Sequence, residues 1–171
     1  MRTLITGGAR SGKSALAERL AAVSDDVVYV ATATAGDVEM AARIAHHRER
    51  RPAAWGLVEE PLALADTLAR IARPGRCVLV DCLTLWLTNL LLADDDTLFN
   101  RERVKLLELL PSLPGELILV TNEVGLGVVP LGELSRRFVD EAGRLNQAVA
   151  ALCDRVVMSV CGLPLPLKGS L

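Results

Sequence analysis

The segment Gly7-Gly8-Ala9-Arg10-Ser11-Gly12-Lys13-Ser14 limits what this chain can fold into more than any other feature. It satisfies G-x-x-x-x-G-K-[ST] at every position. The apolar run 2–6 (RTLIT) precedes it, and 14–23 follows with Leu16, Leu20 and Val23 at helical spacing. A glycine-rich turn between a strand and a helix lets the backbone close around phosphate oxygens. Successive N–H groups and the helix N-terminus then form an anion site. Lys13 is expected to reach the β- and γ-phosphates of a nucleotide, and the Ser14 hydroxyl to bind Mg2+. A glycine turn that merely joins strand to helix would leave the Gly-Lys-Ser triplet unexplained.

The rest of the chain fits this beginning. Further apolar runs at 27–31, 77–80, 117–120 and 156–160 are short and apolar on both faces, as parallel strands covered on both sides require. Helical patterns occupy 37–51, 61–71, 83–93, 97–110, 134–136 onward and 140–152. Strands alternating with helices predict an α/β doubly wound fold, a mostly parallel central sheet with helices on both faces. A length of 171 residues predicts one domain, and neither a repeat nor a linker is visible. Loops are expected at 73–75, 93–96 and 111–115.

Composition narrows the functional classes. Hydrophobic residues make up 51% but aromatic ones only 3%, so the core must be aliphatic. A net charge of −2 without a basic block argues against nucleic-acid binding. No apolar run reaches the ~18 residues of a membrane span; the longest, 83–93, is broken by Thr84, Thr88 and Asn89. Met1 leads straight into Arg2 without the apolar region of a signal peptide. Cys77, Cys82, Cys153 and Cys161 lack metal-ligand spacing and read as small buried hydrophobes in a reducing cytoplasm. Neither an exposed apolar patch nor a charged tail is evident.

A phosphate loop calls for an acid at the end of a neighbouring strand. Asp81, after CVLV, can hold the magnesium or cap the helix starting near Leu83. Glu123, after LILV and Thr121-Asn122, is a second acid. With Gly125 and Gly127 it marks either a ligand-approaching loop or a plain surface turn.

The two histidines, His46 and His47, are adjacent on the expected helix 37–51. Asp37 is a good N-cap, Glu39 sits in the first turn, and Arg48, Arg50 and Arg51 sit in the last, before Pro52. His46 shares a polar stripe with Glu39, Ala42, Arg43, Glu49 and Arg50. His47 lines up with Met40 and Ile44, so His46 is the chemically available ring. The four arginines around the pair suit phosphate oxygens. A neutral imidazole among them can attack phosphorus, and nearby cations favour that neutral ring. Adjacent helical residues diverge by about 100°, which argues against a shared metal. An ordinary surface histidine remains the alternative.

GGARSGKS, YVATATAGDVEMAARIAHHRERRP, VLVDCLTLWLTNLL, VTNEVGLGVVP, RRFVDEAGRLNQAVA and GLPLPLKG follow in order along essentially the whole chain. Together they resemble the bifunctional adenosylcobinamide kinase / adenosylcobinamide-phosphate guanylyltransferase family of cobalamin assembly. The resemblance implies a RecA-like P-loop NTPase fold, a homotrimer, and GTP or ATP and a corrinoid as substrates. It implies that Gly7 through Ser14 bind the triphosphate and that Thr32, Ala33 and Thr34 line the guanosine nucleotide site. His46 matches a nucleophile that becomes guanylylated, and His47, Arg48, Glu49 and Arg50 match the GTP-contacting segment beside it. Glu59 or Glu60, and Asp81, match acidic positions near the nucleotide.

The implied chemistry is phosphorylation of adenosylcobinamide, then transfer of GMP through His46 to adenosylcobinamide phosphate. One rival is a simple P-loop small-molecule kinase, which forms no covalent nucleotide. Another is a GTP-binding switch or assembly module. With so few aromatic rings, guanine and corrin recognition is expected to rest on backbone, arginine and aliphatic contacts.

Overall fold

A computed structural model describes residues 1–34 and 52–171. Seven strands are present among them: β1 (Arg2–Thr6), β2 (Asp26–Ala31), β3 (Gly56–Glu59), β4 (Arg76–Asp81), β5 (Glu116–Val120), β6 (Arg155–Val160) and β7 (Leu163–Lys168). They form one sheet of order β3-β2-β4-β5-β1-β6-β7. All neighbours pair in parallel except β7, which runs antiparallel to β6. The helices are α1 (Lys13–Ala21), α2 (Leu64–Ile71), α3 (Leu83–Leu92), α4 (Asp96–Leu109) and α5 (Glu133–Leu152).

Alternation along the strands divides the core in two. Leu4, Val28, Val30, Val78, Val80, Leu117 and Leu119 face one side, where α2 to α5 supply Leu68, Trp86, Leu106 and Leu145. Ile5, Val27, Tyr29, Leu79, Ile118, Val120 and Val157 face the other, against Leu16, Ala17 and Ala21 of α1. Helices therefore cover both faces, as the buried apolar runs require. Burying each such side chain contributes roughly 1.5–3 kcal/mol. Helix α3 is apolar nearly all round because it lies deep in the first layer. Its polar interruptions, Thr84 and Asn89, meet the strand ends described below.

The structure departs from the sequence-based expectations in four places. β3 was not expected: GLVE is short, largely exposed and held at the sheet edge by pairing with β2 alone. β7 was not expected either, because Pro164 and Pro166 argue against a strand. An edge strand tolerates them, and a two-residue turn with Cys161 at φ 52° and Gly162 at φ 79° folds it back on β6. Lys168 then donates to the Ala150 and Ala151 carbonyls (3.1 and 3.0 Å), capping α5. The two expected C-terminal helices are one continuous helix, α5.

The fourth departure concerns the surface. Cys161 is exposed in the hairpin turn, whereas Cys77, Cys82 and Cys153 are buried as expected. Burial pushes each of those three thiols up to about 11. Exposed apolar side chains do cluster in sequence, at Leu126, Val128, Val129, Leu131 and Leu134 and along β7 at Leu163, Leu165 and Leu167.

Candidate active site

β1 delivers the chain to the phosphate loop and α1 carries it away, beginning at Lys13. The turn needs backbone that only glycine adopts freely. Gly7 sits at φ 143°, and a Cβ there would lie 2.4 Å from the Ser159 carbonyl oxygen. Gly12 sits at φ 96°, with Gly162 Cα 3.0 Å from where its Cβ would be.

The loop's carbonyls are engaged from outside or across it. Gly7 O accepts from the Glu123 N–H (3.0 Å), and Gly8 O accepts from Lys13 Nζ (2.5 Å) and the Ser11 N–H (3.3 Å). Ser11 O accepts from Ser159 Oγ (2.7 Å) and the Gly162 N–H (2.9 Å). Tying these three acceptors leaves the loop richer in free N–H donors, as an anion site requires. The buried Ser11 hydroxyl, beside Gly7, has no hydrogen-bond partner among the described residues.

Lys13 is 8% exposed. Burial lowers its pKa, and the negative charge of Asp81 works in the opposite direction. Its ammonium thus sits in the loop, donating to Gly8 O, where a phosphate oxygen would take over. Ser14 follows it, half-buried in the first turn of α1.

The strand ends build the rest. Ala31 is level with both Glu59 and Asp81, and Asp81 with Val120, so β3, β2, β4 and β5 end at one edge. Asp81 is the last residue of β4, and its Oδ2 accepts from Tyr29 Oη (3.1 Å). It does not cap α3, whose N-cap position is Cys82 with no side-chain bond. Nor is its strand the immediate neighbour of β1. β5 intervenes, which separates Asp81 from the phosphate loop by about 10 Å of sheet.

Thr32, fully buried, clasps the start of the next loop. Its hydroxyl donates to Cys82 O (2.7 Å) and accepts from the Cys82 N–H (2.9 Å). Asn89 Nδ2 donates to Thr32 O (2.8 Å) and Pro61 O (3.1 Å), and Thr34 Oγ1 donates to Asn89 Oδ1 (3.4 Å). Thr32-Ala33-Thr34 therefore runs along α3 at the same edge as Asp81. The two glutamates separate. Glu60 Oε1 accepts from the Leu62 and Ala63 N–H groups (2.9 and 2.7 Å), fixing the turn that leads into α2. Glu59 is exposed at the end of β3. His46, His47, Arg48, Glu49 and Arg50, and the expected helix 37–51, lie outside the described residues.

A polar network missed by sequence reasoning follows β5. Thr121 Oγ1 donates to Asn146 Oδ1 (2.8 Å), and Asn146 Nδ2 donates to Asn122 O (3.1 Å). Thr84 Oγ1 accepts from the Asn122 N–H (2.7 Å). This fixes the segment whose next residue, Glu123, bonds Gly7. Polar Thr121-Asn122 directly after the buried run LILV was the available signal.

A buried lysine at a loop-to-helix junction, a serine beside it and a carboxylate at a nearby strand tip define a P-loop nucleotide-binding protein of the α/β class. Solved structures share the fold. The chain matches the type III secretion ATPase EscN of enteropathogenic E. coli with a TM-score of 0.61 at 17% identity, covering 92% of this chain and 41% of that one. A prototypical ATPase from the type III secretion system of pathogenic bacteria matches with a TM-score of 0.55 at 14% identity, covering 96% and 56%.

The family is set by sequence. Residues 3–167 match the model for "Cobinamide kinase / cobinamide phosphate guanyltransferase", and the chain belongs to that family. It is 68% identical to the bifunctional adenosylcobalamin biosynthesis protein CobP of Pseudomonas aeruginosa, over 99% of this chain and 98% of the relative. It is 41% identical to CobU of Escherichia coli K12, another bifunctional adenosylcobalamin biosynthesis protein, over 98% and 100%. The chain is thus an enzyme of a kinase and guanylyltransferase family of cobalamin biosynthesis.

Proposed function

We propose that this single domain performs both family reactions at one nucleotide region. In the first, the hydroxyl oxygen of adenosylcobinamide attacks the γ-phosphorus of ATP or GTP. The bond to the β–γ bridging oxygen breaks and the nucleoside diphosphate leaves. Lys13 and the loop N–H groups offset charge on the transferred phosphoryl group. The observation that carries this reading is the buried Lys13 ammonium in a loop whose Gly7, Gly8 and Ser11 carbonyls are hydrogen-bonded within the protein.

The residues suit Mg2+, which takes one or two carboxylates and completes its shell with phosphates and water. Among the described residues Asp81 is bonded through Oδ2, to Tyr29, and the Ser14 hydroxyl stands at the loop's end. Asp81 and Ser14 would hold the ion, whose positive charge would offset the negative charge developing on the transferred phosphoryl group.

In the second reaction, a ring nitrogen of His46 attacks the α-phosphorus of GTP, and pyrophosphate leaves. A phosphate oxygen of adenosylcobinamide phosphate then attacks the phosphorus of the histidine-bound GMP. This releases the imidazole and yields adenosylcobinamide-GDP. His47, Arg48, Glu49 and Arg50 would contact the GTP, with Thr32, Ala33, Thr34 and Glu59 beside it. Incubation with α-labelled GTP tests this. The expected result is an acid-labile, base-stable label on the wild type that is absent from His46→Ala. No label on the wild type would reduce the reading to a simple P-loop kinase.

The assembly proposed is a homotrimer in the cytoplasm. The apolar side chains of β7 and of 126–134 support a subunit interface, since exposed patches of this kind commonly mark one. Sedimentation of Leu165→Asp and Leu131→Asp variants tests it, with dissociation expected. No helix among the described residues is long and apolar enough to cross a membrane.

A further inference from the structure

We propose that Ser159 is a positioning residue for the nucleotide phosphates, acting through the Ser11–Gly12 peptide; the proposal rests on the P-loop reading above. Ser159 is the penultimate residue of β6, is 1% exposed, and touches the loop at two places. Its carbonyl oxygen closes off the space beside Gly7, and its hydroxyl donates to Ser11 O at 2.7 Å. The Gly162 N–H, presented by the two-residue hairpin turn, donates to the same oxygen at 2.9 Å.

Two donors on one carbonyl fix the orientation of its peptide group. In a trans peptide the C=O and the next N–H point in opposite directions. Holding Ser11 O against the hairpin therefore turns the Gly12 N–H away from it, toward the inside of the loop. Gly12 itself does not enforce this. At φ 96° and ψ 7° it occupies backbone that glycine enters and leaves with little cost, so the loop sequence alone permits the peptide to flip. A flipped peptide would present a carbonyl oxygen to an anionic phosphate in place of an N–H donor. Ser159 and Gly162 thus supply from the far end of the chain a restraint that the glycine-rich loop lacks.

The test titrates wild type, Ser159→Ala, Ser159→Thr and Lys13→Ala with GTP, ATP and guanosine by calorimetry, alongside thermal unfolding of the nucleotide-free proteins. Ser159→Ala is expected to weaken triphosphate binding about tenfold, the size of one buried hydrogen bond, and to leave guanosine affinity unchanged. Ser159→Thr, which keeps the hydroxyl, is expected to recover most of that loss. Lys13→Ala is expected to lose triphosphate binding on either view. Triphosphate affinity unchanged in Ser159→Ala while Lys13→Ala loses it would overturn the positioning role and leave the P-loop reading standing. Undiminished binding by Lys13→Ala would overturn the P-loop reading itself. An equal loss for guanosine and triphosphates would also overturn the positioning role, since it marks a general structural defect. Should Ser159→Ala not fold, Ser159→Cys carries the same comparison, because it keeps the size but donates weakly.

Discussion

The Tyr29 hydroxyl donates to Asp81 Oδ2 at 3.1 Å, reaching from within β2 to the end of the neighbouring parallel strand β4. Tyr29 is 4% exposed, so the carboxylate is held from beneath by a rigid buried ring. Tyr29→Phe removes only the hydroxyl. It is expected to lower stability by about 1 kcal/mol. Kinase turnover should fall severalfold because Asp81 loses its orientation. Steady-state kinetics with a corrinoid acceptor, together with urea unfolding, measures both. Asp81→Asn should cost far more turnover at little cost in stability.

Thr32 bonds both backbone groups of Cys82 through one hydroxyl. Thr32→Val keeps the shape and strands the buried Cys82 N–H. The expected loss is about 1–3 kcal/mol, the cost of an unsatisfied buried donor. Thr32→Ser should restore most of it. Chemical denaturation of the three proteins decides the matter.

Gly7→Ala places a methyl group 2.4 Å from the Ser159 carbonyl oxygen, in backbone that a side chain rarely adopts. The loop or β6 must shift. Nucleotide binding should fall sharply while far-ultraviolet dichroism stays near that of the wild type. Gly8→Ala is the control, since nothing lies near its Cβ direction.

Lys13 links function to pH. Burial lowers its pKa below the 10.5 of the unfolded chain. Between the folded value and 10.5 the unfolded state binds more protons, so the stability of the nucleotide-free protein rises with pH through that window. The charged form at neutral pH is a stability cost. Lys13→Met is therefore expected to be at least as stable as wild type at pH 7, with the difference shrinking as pH approaches 10.5. It should also lose triphosphate binding. Unfolding midpoints across this pH range measure the first effect and calorimetry the second.

Much of this architecture was legible in the residues. VVYVA, CVLV and LILV are apolar at every position because both faces of a parallel sheet are covered, and each is a central strand. The loop at 7–14 announced itself by spacing that close backbone approach demands. GLVE and LPLPLK escaped notice because edge strands need neither burial nor strict alternation, only a neighbour's backbone. Whether Asp81 caps the following helix was open in the sequence; the structure puts Cys82 at that position. Glu59 and Glu60 differ only in their tertiary surroundings: Glu60 bonds the Leu62 and Ala63 N–H groups of the turn before α2, while Glu59 is exposed at the end of β3.

The sequence by itself determined the fold class and the glycine-rich loop between β1 and α1. Those depend on local physics: glycine's freedom at positive φ, the two-residue period of a strand, and a helix starting where the loop ends. Only the tertiary structure decided what holds the loop in shape. β6 pairs with β1, and the turn after it falls on Ser11. That brings Ser159 and Gly162 against residues nearly the whole chain away, a contact set by strand order and register that no local pattern encodes.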